Sequence, residues 1–280
     1  MRDSFRFSLK DIYRQISHRK LDDDLLLELV LYGIPNTNIK RPKILTADET
    51  LATIIATDKS LVRFGDGEIM LLEGNGVPFQ KEDKKLTMRL RQILANPHPN
   101  VLIGINRWYY YSNLAELIKQ ANPIHKNFNL YTMPKIRKAF EKYINYDITY
   151  CEASMSGGGG SSCQIWRDFF KDKRLVLVGC KEAFDSYKFN IFDTAKELSY
   201  EFVPNKHCFG VYDEILARLL KYERDFIIIA MCGPTANVLV VDLTMQGFRA
   251  LDLGHLAKFY DWHKKGVNAS KNANFFAPDE

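Results

Sequence analysis

Ser60-Leu61-Val62-Arg63-Phe64-Gly65-Asp66-Gly67-Glu68 is the stretch on which the fold and the chemistry of this chain turn. Residues 60–64 have the composition of a short buried strand, and Gly-Asp-Gly ends it abruptly. The two glycines, Gly65 and Gly67, free the backbone to bend and let a ligand approach closely. In an extended segment Asp66 and Glu68 would project from the same side. Two hard oxygen ligands, with water and substrate phosphates in the remaining positions, is how Mg²⁺ or Mn²⁺ is usually held at a diphosphate. Arg63 would add a cation for the same phosphates. Gly-Asp-Gly is also common turn chemistry, so on its own the hexapeptide leaves a polar hairpin turn open beside the metal site.

Working outward, short apolar strands alternate with amphipathic helices. Thr46 and Glu49 form a capping box for a helix over 47–57. A helix over 82–95 precedes a buried-strand pattern at 101–105, and helices near 113–120 and 134–144 flank a weaker strand at 129–132. Strands are expected at 174–179, 226–231 and 250–253, with helices over 212–222 and 235–246, the second ended by Gly247. This order predicts an α/β fold, a mostly parallel sheet with helices on both faces. Such sheets bind ligands beyond the carboxyl ends of their strands, where Asp66 and Glu68 fall.

Residues 1–42 stand apart as an N-terminal helical extension to a domain over 43–280. Phe5, Leu9, Ile12, Tyr13 and Ile16 follow helical spacing among Arg2, Arg6, Lys10, Arg14, Arg19 and Lys20. Such a basic amphipathic helix can lie on an anionic membrane surface, or dock on the core or on a second copy of the chain in a homo-oligomer. At 280 residues with 46% hydrophobic content the chain can bury a full core. Its net charge of +5 is dispersed, which argues against nucleic acid as the partner and suits an anionic substrate. No apolar run reaches transmembrane length and no signal-peptide core follows Met1. Five scattered cysteines without a CxxC pair fit reduced thiols, so a cytoplasmic protein is expected.

Three further stretches carry chemistry. Gly233-Pro234-Thr235-Ala236 is a strand-to-helix step whose N-terminus could offer N–H groups to a phosphate, or could be an ordinary helix start with Thr235 as the cap. Its spacing is neither GxGxxG nor a P-loop. Asp252-Leu253-Gly254-His255, followed by Tyr260 and Trp262, sets a carboxylate, an imidazole and large rings near one strand end. His255 could serve as acid, base or phosphate contact, and Tyr260 or Trp262 could stack on a sugar or base. Ser154 to Ser162, with four glycines at 157–160, reads as a flexible loop that could also cover substrate. Cys163 beside it is a weak candidate nucleophile with no identifiable histidine partner.

Taken in order, these pieces resemble the GT-D-type glycosyltransferases, over roughly residues 43–265. The resemblance runs through Arg63-Phe64-Gly65-Asp66-Gly67-Glu68, Phe79-Gln80-Lys81 with Asp83, Leu86, Arg89 and Leu90, and Asn190-Ile191-Phe192-Asp193 with Ala195-Lys196. It continues through Tyr212-Asp213-Glu214-Ile215-Leu216 and Gly233-Pro234-Thr235-Ala236 to Gly247-Phe248-Arg249-Ala250-Leu251-Asp252-Leu253-Gly254-His255 and Trp262. The resemblance implies a Rossmann-like variant in which Asp-x-Glu, here Asp66 and Glu68, binds the divalent metal that holds a nucleoside diphosphate sugar. It further implies a hexosyltransferase that uses a UDP-sugar and extends glycans on bacterial surface proteins or polysaccharides. The chain departs where relatives usually carry Arg-Pro-Tyr, having Tyr150-Cys151-Glu152-Ala153-Ser154. It departs again where they carry Glu-Gly-Glu followed by arginine, having Val178-Gly179-Cys180-Lys181-Glu182. Both segments are expected to help form the donor or acceptor pocket.

A divalent metal, Mn²⁺ or Mg²⁺, would then neutralise charge on the departing diphosphate, assisted by Arg63 and the amides at Gly233 to Thr235. An inverting reaction would need a base for the acceptor hydroxyl, with Asp252 and His255 as candidates, whereas a retaining one would not. Two rivals stay open on sequence: a metal-dependent nucleotide phosphohydrolase and a non-catalytic module that binds sugar nucleotide or glycan.

Overall fold

The computed structural model describes residues 41–111, 133–154 and 160–267. The N-terminal extension, the helix expected near 113–120, the strand expected at 129–132 and most of the glycine run lie outside them.

Eight strands form one sheet: β1 (Lys43–Ile44), β2 (Ser60–Phe64), β3 (Val101–Ile105), β4 (Thr149–Glu152), β5 (Arg174–Gly179), β6 (Glu197–Phe202), β7 (Phe226–Met231) and β8 (Arg249–Asp252). Their order across the sheet is β1-β4-β3-β2-β8-β7-β5-β6, and every pairing is parallel. Parallel pairing demands crossovers, which the intervening helices supply. On the β2 side the chain steps outward through β3 to β4, while the second half runs β5 to β6 and then back through β7 to β8. The two halves meet where β2 lies beside β8, joined by the single register pair Leu61 with Leu251.

Alternation along the strands divides the core in two. Val62, Phe64, Val176, Val178, Ile228 and Ala230 pack in one cluster with α2 (Asp66–Leu72), α3 (Lys84–Ala95) and α9 (Thr235–Met245). Leu61, Leu175, Leu177, Ile227, Ile229 and Leu251 face the other way, against α1 (Ala47–Ala56), α6 (Gly160–Phe170) and α10 (Leu256–Lys264). Remaining helices are α4 (Trp108–Tyr111), α5 (Met133–Glu141), α7 (Lys181–Ser186) and α8 (Tyr212–Leu219), with a 3₁₀ turn at Cys208–Val211. Burial on both faces is why the central strands read as continuous apolar runs.

Local chemistry explains most boundaries. The Thr46–Glu49 capping box is present, with Thr46 N–H donating to Glu49 Oε2 at 2.8 Å. Asp83 caps α3 by accepting the Leu86 N–H at 3.0 Å, so that helix starts two residues later than its hydrophobic pattern suggests. Gly247 ends α9 with φ +85°, a left-handed conformation that glycine adopts without strain. One expectation is corrected: Asp66 and Glu68 do not lie in an extended segment. They occupy the first turn of α2, because acidic residues ahead of Ile69, Leu71 and Leu72 make a good helix start once Gly65 caps it.

Candidate active site

The carboxyl ends of seven strands, β2 through β8, border one cavity of about 380 Å³. This places it at the switch point where the two halves of the sheet diverge. Arg63, Gly65, Asp66, Gly67, Glu68, Gly233, Asp252 and His255 all line it, so most of the residues singled out by sequence converge there. Pro234 and Thr235 do not line it. Pro234 is the N-cap of α9, and Thr235 is its first residue and fully buried, so the expected Thr235 cap is not formed.

Asp66 and Glu68 stand at the first and third positions of α2, next to its unpaired amides. Glu68 Oε2 accepts the Gly65 N–H at 2.9 Å, and the nearby amides of Gly67 and Asp66 favour the Asp66 carboxylate. Burial raises the Asp66 carboxyl above its ordinary value. Burial first, then the Asp252 carboxylate, push Glu68 up to about 7, against the pull of its Gly65 bond. Tyr109 of α4 reports the same crowding: burial, then Asp66, then Glu68 raise its phenol well above the usual range.

Asp252 and Asp66 thus crowd Glu68, and of the three carboxylates it is Asp252 that carries a guanidinium partner. Arg63 Nη2 pairs with Asp252 Oδ1 at 3.0 Å, and Nη1 donates to the Ala153 carbonyl at 3.1 Å. The Asp252 Oδ1 also accepts the Gly254 N–H at 3.1 Å. Gly254 has φ +48°, and a Cβ there would fall 1.9 Å from Arg63 Nη2, so only glycine fits over this guanidinium. A divalent cation would relieve the excess negative charge. All the donors are hard oxygens, a set that fits Mg²⁺ or Mn²⁺. Among the described residues no three His, Cys, Asp or Glu side chains converge on one ion, and a cation here would take phosphate oxygens and water as further ligands.

Phe79 lines the site. A Cβ on Gly67 would meet its ring at 3.0 Å, so Gly67 gives the ring its room, while Gly233 beside it has φ +60°. The ring's loop is tied to the far half of the sheet: His207 N–H donates to the Phe79 carbonyl at 2.8 Å, and Lys81 N–H donates to His207 Nδ1 at 3.0 Å. His255 is exposed at the cavity mouth as the N-cap of α10. Neither Tyr260 nor Trp262, the rings expected to stack on a ligand, lines the cavity. Tyr260 is buried with its hydroxyl on Arg167 Nη1 at 3.1 Å, and Phe259 does line the cavity. Cys163 is buried, and burial raises its thiol, which unfits it as a nucleophile. All five cysteines are free thiols.

Sequence reasoning missed Tyr109 and Asn106, which follow β3 into the cavity, and Phe184 and Tyr187 of the α7 region. The run Trp108-Tyr109-Tyr110-Tyr111 directly after a predicted strand was the available signal. Both departing segments reach the cavity, through Ala153, Ser154, Gly179 and Cys180. Glu152 stays behind it, with Oε2 accepting Arg107 N–H at 2.9 Å and Oε1 accepting Ser154 N–H at 2.8 Å.

The chain is 27% identical over 246 residues to "Probable glycosyl transferase Gly" of Streptococcus gordonii, covering 84% of this chain and 35% of that protein. It is 26% identical over 235 residues to "Glycosyltransferase GlyD" of Streptococcus pneumoniae serotype 4, covering 79% of this chain and 27% of the relative. This chain therefore spans about a third or less of the curated relatives it matches. A solved structure described as the domain of unknown function 1792, with a distinct glycosyltransferase fold, superposes with a TM-score of 0.73 at 29% identity, covering 81% of this chain and 83% of that one. The family model for the glycosyltransferase GT-D fold matches residues 61–275, and the chain belongs to that family.

Proposed function

We propose that this chain transfers a hexose from a nucleoside diphosphate sugar, a UDP-sugar, to a glycan acceptor on a bacterial surface protein or polysaccharide. The observation that carries the proposal is the crowded acidic pair, Asp66 and Glu68, lining the cavity at the carboxyl end of β2. Asp66 and Glu68 would hold Mn²⁺ or Mg²⁺, and the bound ion would supply charge neutralisation to the departing diphosphate. Gly65, Gly67 and Gly233 line the cavity, where their backbone amides would face that diphosphate. Arg63 keeps one positive charge in the cavity wall while it fixes Asp252 and the Gly254 turn. Because Asp252 Oδ1 is engaged by Arg63 and Gly254, Asp252 is the better positioning group, and the exposed His255 the better proton acceptor if the reaction inverts.

Membership of a glycosyltransferase family favours sugar transfer over phosphate release. Contact with a lipid surface would fall to the basic amphipathic sequence of the N-terminal extension, and no described helix is long and apolar enough to cross a membrane. The test is a panel of nucleotide sugars with Mn²⁺, following release of nucleoside diphosphate with and without candidate glycan acceptors. Release that depends on Mn²⁺, stops with EDTA and is lost in Asp66→Ala and Glu68→Ala is expected. Undiminished turnover in EDTA overturns the role of the metal. Release of inorganic phosphate alone would overturn sugar transfer.

A further inference from the structure

A second cavity, of about 450 Å³, opens off the first and shares Cys180, Pro204 and Asn205 with it. Phe202, Lys181 and Glu182 supply further walls. A line of rings joins the two. Phe184, in the wall of the first cavity, lies edge-on to Tyr200 at 5.5 Å, and Tyr200 stacks against Phe202 at 5.9 Å. Phe184 is fixed from below, since a Cβ on Gly179 would fall 2.9 Å from its ring.

Tyr200 and Phe202 are two apart on β6, so both rings stand on the same side of that strand. They remain 40% and 45% exposed, on the edge strand of the sheet. Large rings left bare on a strand edge invite unwanted pairing unless they serve a ligand. The polar groups beside them are fixed. The Cys180 thiol donates to Glu182 at 2.7 Å and holds its carboxyl below the usual range. Lys181 Nζ is paired with Asp185 at 2.6 Å and sits 5.5 Å from the Phe202 ring centre.

We propose that this ridge is a distal subsite for an oligosaccharide acceptor, with one pyranose ring laid on Tyr200 and Phe202 and its hydroxyls on Glu182 and Lys181. A pyranose offers a face of C–H groups, which suits the electron-rich face of an aromatic ring, and a rim of hydroxyls, which suits a carboxylate and an ammonium. Distance selects the occupant. Four strand spacings separate β2 from β6, or roughly 19 Å. That is farther than a nucleoside reaches from its own phosphates, and farther than one hexose spans. An acceptor of several linked sugars bridges it, entering sideways over the open edge of β6.

The inference rests on the transferase function proposed above, and one set of samples separates the two. Saturation-transfer NMR with maltotriose, cellotriose and chitotriose as probes would be run beside Mn²⁺-dependent UDP-hexose hydrolysis. Wild-type protein is expected to bind at least one trisaccharide. Phe202→Ala should weaken that binding at least tenfold and Phe202→Tyr should keep it. Hydrolysis and UDP affinity should be unchanged in both variants, since the exposed ring contributes little to the core. Binding of none of the probes, or equal binding by Phe202→Ala, overturns the subsite. A loss of UDP affinity in Phe202→Ala would assign the ridge to the nucleobase and overturn it as well. Absence of wild-type hydrolysis with trisaccharide binding intact would instead sink the transferase function and leave the ridge as a glycan-binding surface.

Discussion

Two charged clusters in this fold behave differently. In the first, Arg89 pairs with Asp242 Oδ1 at 2.5 Å and the Tyr212 hydroxyl donates to Asp242 Oδ2. One cation, one anion and one hydroxyl satisfy each other, and burial with Asp242 raises the Tyr212 phenol. In the second, Arg63 pairs with Asp252 alone, while burial, joined at Glu68 by the Asp252 and Asp66 carboxylates, pushes Asp66 and Glu68 towards neutrality. Both clusters draw on stretches that carry the family resemblance. The closed cluster joins α3, α8 and α9, whereas the unbalanced one faces the cavity. An arrangement that leaves charge uncompensated persists where a ligand completes it.

Substitution of the acids themselves carries the largest expected effect. Asp66→Asn or Glu68→Gln should cut turnover of nucleotide sugar by roughly a hundred-fold or more, with thermal melting unchanged or raised, because a crowded buried charge is removed. If melting collapsed with activity, the acids would be structural like Asp242. Next in size, Gly254→Ala should cost about 2–3 kcal/mol in urea unfolding and abolish turnover, since it combines a left-handed backbone with a clash on Arg63. Asp242→Asn should cost about 2 kcal/mol of stability while turnover per folded molecule stays near that of the parent. The smallest effect sharpens the contrast: Mn²⁺ at ten times its dissociation constant should stabilise the protein by about 1.4 kcal/mol. That gain should vanish in Asp66→Asn and survive in Asp242→Asn, and calorimetry with and without the ion would check it.

Much of this was legible beforehand. Strands at 101–105, 174–179 and 226–231 match the structure residue for residue, because two-sided burial leaves an unbroken apolar signal. Strand β6, Glu-Leu-Ser-Tyr-Glu-Phe, was not seen, since an edge strand carries polar residues on its open side and loses that signal. Strand β4 escaped because it is four residues long and ends in a buried glutamate that other elements satisfy. Helix α2 was hidden by its own glycines, which read as a turn although the acids of a helix start were present. Within the site, Asp66, Glu68, Asp252 and His255 announced themselves by spacing at strand ends. Phe79 and Tyr109 did not, because an aromatic residue shows its place in a cavity wall only once the chain has brought distant segments together.

The join between β2 and β8 has a consequence for how substitutions propagate. With one backbone register pair there, cohesion passes to side chains: Ser60 Oγ accepts from Ala250 N–H at 3.0 Å and from Thr244 Oγ1 at 2.7 Å, Asn237 Nδ2 donates to the Arg63 carbonyl at 2.8 Å, and Arg63 reaches Asp252. Ladders made of main chain tolerate almost any residue, whereas a seam stitched by particular side chains is as durable as its weakest stitch. A lesion at Ser60 or Asn237, neither of which lines the cavity, would therefore loosen the alignment of the half bearing Asp66 against the half bearing Gly233.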